Sequence, residues 1–263
     1  MKADYKNWVP KGLIVALLDA AATAGLCSAV FGVAGWGVGW TARIAWAVAA
    51  GTICALCALL AAQFIVMYRA FSYNGKRQLT LQVAEGAARY VELPPGGRGL
   101  DVGCGSGALT IVCAKCNPQG SMLGVDRWGH EYASHNKPLC ERNAAAEGAN
   151  SVSFARDDTL HLDSPNESFD AVTSNYVYHN VTGADKQKLL LETLHMLKKG
   201  SVFAIHDLMI PSCYGDMRAF DDELKRQGYE EVQQLDTTKG MFMSPGKARR
   251  LMLKGSTLLT GRK

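Results

Sequence analysis

The stretch Leu100-Asp101-Val102-Gly103-Cys104-Gly105-Ser106-Gly107 decides the reading of this chain. A short apolar run carrying one carboxylate passes directly into three alternating glycines, and a helical pattern begins at Ala108. Glycine permits a tight turn and a close approach of backbone to ligand where any Cβ would collide. Strand, glycine turn and helix in that order open the ligand crevice of an α/β sheet. The glycines alone leave two ligands in competition, because Gly103, Gly105 and Ala108 also satisfy a dinucleotide pattern with alanine in its last place.

Working outward, residues 99–103, 122–126, 152–155, 171–174 and 202–205 read as strands, and 133–147 and 186–197 as helices. Such alternation implies right-handed crossovers and a doubly wound, mostly parallel sheet with helices on both faces. Beyond Gly228 two extended runs, 229–235 and 251–259, suggest a terminal antiparallel pair. Ahead of the octet, residues 76–91 set Leu79, Val83, Ala87 and Tyr90 on one helical face, and Pro94-Pro95-Gly96-Gly97 ends that helix.

The upstream third has a different character. The chain has 263 residues with a mean hydropathy of −0.02, an ordinary average that hides two unlike parts. Residues 1–69 hold five basic and two acidic side chains, whereas the remaining 194 hold 23 and 22. Between Gly12 and Ala42 the only charge is Asp19, and from Ile44 to Tyr68 there is none over 25 residues, about 37 Å of helix at about 1.5 Å per residue. Two transmembrane helices, near 13–35 and 44–68, are therefore expected, joined by a turn rich in glycine and tryptophan. The second uninterrupted span separates this pattern from a cleaved signal peptide. Lys2, Lys6 and Lys11 precede the first span and Arg69, Lys76 and Arg77 follow the second, while the connecting loop holds only Arg43. The positive-inside rule then places both termini and the large domain in the cytoplasm of a two-span membrane protein. The expected organisation is an anchor over 1–69, a linker with an amphipathic helix over 70–98 and a catalytic domain over 99–263. A net charge of +4 without a basic stripe points away from nucleic acid. The eight cysteines read as free thiols, and the Cys113–Cys116 spacing lacks the second pair that a tetrahedral metal site needs, so no metal is expected.

The octet resembles motif I of the class I S-adenosylmethionine-dependent methyltransferases, in which an acidic residue stands two positions before a G-x-G-x-G turn, as Asp101 does here. A carboxylate at that place suits a cationic sulfonium better than a pyrophosphate, which argues against an NAD-dependent oxidoreductase. The likeness spans about residues 76–263 and implies a Rossmann-like, seven-stranded, mostly parallel sheet with a terminal antiparallel strand, here preceded by two transmembrane helices. It implies S-adenosyl-L-methionine as cofactor, with Asp101, Gly103, Cys104, Gly105 and Gly107 on the methionine side. Asp126 would hold the ribose, as expected of a carboxylate at the tip of strand two, with Arg127 and Trp128 beside it and Trp128 a candidate neighbour of adenine. The run Asp157-Asp158-Thr159 is similar to the family's adenine-side stretch, and its spacing to Leu162 and Phe169 selects Asp158.

The segment after strand four, Asn175 to Val181, is the expected acceptor wall. Asn175 joins the cofactor-binding candidates, and His179 with Tyr176 are the catalytic candidates, because methyl transfer needs a base only if the acceptor must lose a proton. His206 is a second, less favoured imidazole. Tyr176 stands where arsenite methyltransferases of similar sequence carry a cysteine, so arsenic chemistry is not expected. The apolar spans suggest a small hydrophobic acceptor such as a thiol, a phenol or quinol, or a lipid, with the bilayer as partner. A catalytically silent membrane adaptor is the rival reading.

Overall fold

The computed structural model describes residues 2–129, 134–158, 160 and 162–263, and divides into two compact units. The smaller, Asn7–Gln78, is a helical hairpin. Helix α1 (Lys11–Cys27) continues as a π-helical turn over Ser28–Val33, and α2 runs from Trp40 to Phe71. Both are long and apolar enough to cross a membrane, with mean hydropathies of 2.0 and 2.2. The second helix begins four residues before the expected span, so Trp40 and Arg43 belong to the helix and the turn is shorter than the sequence suggested. Small residues let the helices meet: a Cβ on Gly32 would lie 2.7 Å from the Ala47 backbone, and the Ser28 hydroxyl donates to Ala47 O at 3.2 Å. The single charge in the first turn of α2 is absorbed locally, because the Arg43 guanidinium donates to Gly32 O and Val33 O, carbonyls at the end of the first helix.

The larger unit comprises residues 79–263 and the segment ending at Lys6. Helix α3 (Leu79–Ala88) precedes β1 (Arg98–Val102), α4 (Ala108–Cys116), β2 (Ser121–Asp126), α5 (Lys137–Glu147), β3 (Val152–Arg156), β4 (Phe169–Asn175), α6 (Lys186–His195) and β5 (Leu197–Leu208). Helices α7 (Pro211–Tyr214) and α8 (Met217–Arg226), β6 (Glu230–Asp236), α9 (Pro245–Arg250) and β7 (Ser256–Arg262) complete it. Strand order is β3-β2-β1-β4-β5-β7-β6, with β7 antiparallel to both neighbours and β1 to β5 parallel. This is the Rossmann-like methyltransferase sheet.

Alternation along the central strands supplies both layers. Leu100, Val102, Val172, Phe203, Ile205 and Leu259 pack with Leu190 and Leu194 of α6 and Phe220 and Leu224 of α8. The opposite face is built from smaller groups, Ala171, Ala204 and Leu258, which admit Ala84 and Ala87 of α3 and Leu109 and Cys113 of α4. The last strand starts at Ser256 rather than at 251, because Pro245 opens α9 and Gly255, with φ +88°, turns the chain into the sheet. The result places the carboxyl ends of β1, β2, β4 and β5 along one rim.

Candidate functional site

The glycine turn leaves β1 at this rim. Gly103, Gly105 and Gly107 all have left-handed backbones, with φ of +72°, +56° and +82°. The Gly103 and Cys104 N–H groups donate to Val125 O at 2.8 and 3.0 Å, fastening the turn to the end of β2. A Cβ on Gly103 would collide with Val177 at 2.3 Å, whereas one on Gly105 would meet, among the described residues, only His135, at 3.9 Å. Among the described residues nothing closer approaches that position, so the backbone of Gly105 is left uncovered there. The Cys104 thiol is buried and pushed up in pKa by that burial, and its N–H and C=O are taken by Val125 O and Gly107 N.

Asp126 ends β2 and closes the turn from the other side. Its carboxylate accepts from Gly105 N at 2.8 Å and Trp128 N at 2.7 Å, and the Trp128 indole N–H donates to Gly105 O at 2.9 Å. The indole is thus pinned against the glycine turn, with Trp128 itself in a left-handed conformation at φ +46°. Arg127 follows Asp126 directly. Asp101 lies behind the turn: 1% exposed, it accepts from Thr110 Oγ1 at 2.6 Å and Thr173 Oγ1 at 3.0 Å. Burial, opposed by these hydrogen bonds, raises its pKa to about 7. Asp101 thus organises the turn from within the core. Asp157 ties its own loop through Asp158 N and Asp163 N, at 2.9 and 3.3 Å, and Asp158 accepts from Leu160 N at 3.0 Å. Thr159 lies outside the described residues.

The segment after β4, the expected acceptor wall, runs from Tyr176 to Val181. Tyr176 has φ +56°, an uncommon conformation for a bulky residue and one that concentrates at functional sites. Its hydroxyl bonds to Ser256 Oγ at 2.7 Å, and its ring lies edge-on to His206 with centroids 4.6 Å apart. Burial raises the pKa of the phenol, which keeps it neutral. His206 is fully buried, with Nε2 on Thr237 Oγ1 at 3.0 Å and Nδ1 on the Asn175 amide at 2.9 Å. Nδ1 meets the Asn175 side-chain oxygen, which can only accept, so Nδ1 carries the proton and the neutral ring's Nε2 accepts from Thr237 Oγ1. Burial drives the His206 pKa down to about 4, and the ring serves as a structural pivot.

His179 is arranged differently. Its Nδ1 bonds to Asp207 Oδ1, its backbone N–H reaches Asp207 Oδ2 at 3.2 Å, and its side chain remains 23% exposed. Asp207, at the end of β5, is fully buried and also accepts from Tyr214 OH at 2.8 Å and Leu208 N at 2.7 Å. A carboxylate on Nδ1 fixes the tautomer and leaves Nε2 with its lone pair. The sequence showed Asp207 only as the residue after a strand; its role arises from a contact across 28 positions. Asn143 was equally silent: buried on α5, it donates to Ser106 O of the turn at 3.0 Å and to Asp4 O at 3.1 Å.

A sequence model of the family described as "Methyltransferase domain" matches residues 94–251. The chain is 32% identical over 126 residues to 2-phytyl-1,4-naphtoquinone methyltransferase of Synechococcus elongatus, covering 48% of this chain and 52% of that one. It is 27% identical over 128 residues to demethylmenaquinone methyltransferase of Geobacillus stearothermophilus, with the same two coverages. The matched region spans about half the length of these curated relatives. Among solved structures, an S-adenosylmethionine-dependent methyltransferase from Aquifex aeolicus superposes with a TM-score of 0.50 at 16% identity, over 72% of this chain and 93% of that one. A geranyl diphosphate methyltransferase gives 0.52 at 13% identity, over 68% and 76%. At such identities the superpositions speak to the fold.

The buried Asp101 carries a signature in pH. Its folded pKa lies above the unfolded value of 3.8, so its contribution to stability is fully present below about pH 4 and is lost as pH rises through about 7. Thermal unfolding at pH 5 and pH 8 should therefore show the wild type losing several degrees relative to Asp101→Asn at the higher pH. Equal displacement of the two proteins at both pH values would contradict this burial.

Proposed function

We propose that this chain, which belongs to the class I S-adenosylmethionine-dependent methyltransferase family, is anchored in a membrane and methylates a small hydrophobic hydroquinone or phenol. When bound, S-adenosylmethionine supplies an electrophilic methyl group and leaves as S-adenosylhomocysteine. The chain's own residues position it: the glycine turn with Gly105 receives the methionine moiety, Asp126 the ribose hydroxyls, and the loop of Asp157, Asp158 and Thr159 the adenine. Arg127, Trp128 and Asn175 form the flanks of the same crevice.

The observation that carries the acceptor class is the His179–Asp207 pair on the wall beside the glycine turn. An acceptor that is already an anion needs no base, whereas a hydroquinone must shed a proton to become a strong nucleophile. His179 Nε2 takes that proton, and the buried Asp207 carboxylate holds the imidazole in place and balances the imidazolium that forms. Tyr176 shapes the wall with its neutral phenol, whose proton is given to Ser256 Oγ. The relatives named for naphthoquinone and menaquinone precursors support this acceptor class.

The membrane reading is supported by exposure. Only 6% and 11% of the apolar windows of the two helices are buried, and a core helix of a soluble protein would be mostly buried. With Lys2, Lys6 and Lys11 ahead of the first helix and Arg69 near the end of the second, the positive charge gathers at the open end of the hairpin, which favours both termini and the catalytic unit on the cytoplasmic side and the turn around Gly37 on the far side.

Turnover is read as S-adenosylhomocysteine formed with a reduced, prenylated naphthoquinone lacking its ring methyl. His179→Gln should lower kcat by roughly two to four orders of magnitude while leaving the KM for S-adenosylmethionine within about twofold. Undiminished turnover in that variant refutes the base, and no product with any quinol, phenol or thiol in a cofactor-binding wild type would instead favour the silent adaptor. For topology, Gly37→Cys should react with an impermeant maleimide from outside intact cells; labelling only after lysis reverses or removes the proposed hairpin.

A further inference from the structure

Charge in the chain is strongly partitioned. Residues 70–236 hold 16 basic and 22 acidic side chains, while residues 237–263 hold seven basic and none acidic. Four of the seven, Lys247, Arg249, Arg250 and Lys254, fall within eight residues on α9 and the turn after it, and all four are exposed. Lys239 is paired with Asp236 at 3.2 Å, but among the described residues no acidic side chain lies within ion-pair distance of Lys247, Arg249 or Lys254. A field of one sign around Lys247, Arg249 and Lys254 favours polyanions.

An apolar group stands in the middle of these cations. Met252 is 67% exposed and has φ +60°, between Leu251 and Leu253, which are 5% and 6% exposed. The left-handed residue turns its side chain outward while both neighbours anchor in the core. The turn is tightly made, with Leu251 N on Lys247 O at 2.9 Å, Met252 N on Arg249 O at 3.3 Å and Leu253 N on Ala248 O at 2.8 Å. Met241, on the same β6–β7 connection, is 43% exposed. An exposed unbranched thioether flanked in the chain by long cationic side chains, as Met252 is, matches the boundary of a bilayer, where apolar groups enter the acyl region and ammonium and guanidinium groups stay among phosphates. A nucleic acid would call for aromatic groups between the cations instead.

The place of this connection matters. It joins the carboxyl end of β6 to the start of β7, where Ser256 pairs with Leu208 at the end of β5. Its Thr237 and Phe242 touch His206, and Ser256 just beyond it holds Tyr176. The basic turn therefore belongs to the same rim as the acceptor wall.

We propose that residues 245–254 are a docking surface for an anionic lipid bilayer, with Lys247, Arg249, Arg250 and Lys254 on headgroup phosphates and Met252 in the interface. This rests on the anchored reading, which keeps a bilayer within reach, and it brings the acceptor rim to the surface from which a hydrophobic acceptor enters. Attraction of this kind falls with salt.

The test is amide exchange of the full chain in nanodiscs of phosphatidylcholine alone and with about a third phosphatidylglycerol. Exchange across 245–254 should be at least about fivefold slower in the anionic discs. The difference should vanish in high salt and in a variant with Lys247→Gln, Arg249→Gln, Arg250→Gln and Lys254→Gln that still binds S-adenosylhomocysteine. Met252→Gln should reduce the slowing without abolishing it. Equal exchange in both discs overturns the proposal, as does slowing produced by added RNA in neutral discs but not by anionic lipid. If the chain enters neither disc, the anchored reading fails; flotation with preformed phosphatidylglycerol vesicles then decides the surface, cation-dependent flotation upholding it and no flotation overturning it.

Discussion

The hydrogen bond from Gly105 N–H to the Asp126 carboxylate, 2.8 Å long, is the constraint on which the site depends. It links the turn after β1 to the tip of β2 and holds the backbone at Gly105 in a left-handed conformation, left uncovered among the described residues. Substituting a side chain there would cost on the order of 1–2 kcal/mol in backbone strain. Trp128 and Cys140 meet the Gly105 carbonyl from the other side, at 2.9 and 3.2 Å, so both polar groups of this peptide are committed. A buried Asp101, bonded by two threonines, braces the same turn from the core. The turn is preorganised, and ligand binding does not have to supply the ordering of a loop.

The opposite wall follows a different logic. Tyr176 and His206 are locked into a buried network through Ser256, Thr237 and Asn175, with no ring nitrogen of His206 to spare. His179 alone keeps a partly exposed imidazole, and the carboxylate behind it is wholly buried and satisfied by donors from three elements. His206, buried on β5, and His179, in the turn just beyond β4 and held by Asp207, thus acquire different roles. Close approach joins the walls, since Val177 occupies the space that a side chain on Gly103 would need.

Much of this was legible in the sequence where the signal is local. The octet at 100–107, the carboxylate at the end of β2 and the alternation of strands and helices gave the fold, because glycine turns and apolar periodicity are properties of neighbouring residues. The apolar spans were equally plain, though Trp40 and Arg43 proved helical once the guanidinium found the carbonyls of the preceding helix. What escaped was everything decided by distant partners. Asp207 reaches His179 across 28 positions, and Asn143 reaches Asp4 across 139. The start of β7 was misplaced because Leu251, Leu253 and the residues beyond alternate like a strand while packing as the turn after α9. The last 27 residues hold seven basic and no acidic side chains, a local imbalance that a search for one basic stripe passes over, and the left-handed Met252 gives it a physical meaning.

The central claim is that the glycine turn and Asp126 receive a sulfonium cofactor, and calorimetric titration of the detergent-purified chain tests it most directly. S-adenosylmethionine and S-adenosylhomocysteine should each bind saturably at one site, with NADH giving no heat of binding under the same conditions. Saturable binding of NADH with no response to either adenosyl ligand would contradict the account, because the same turn would then be holding a pyrophosphate.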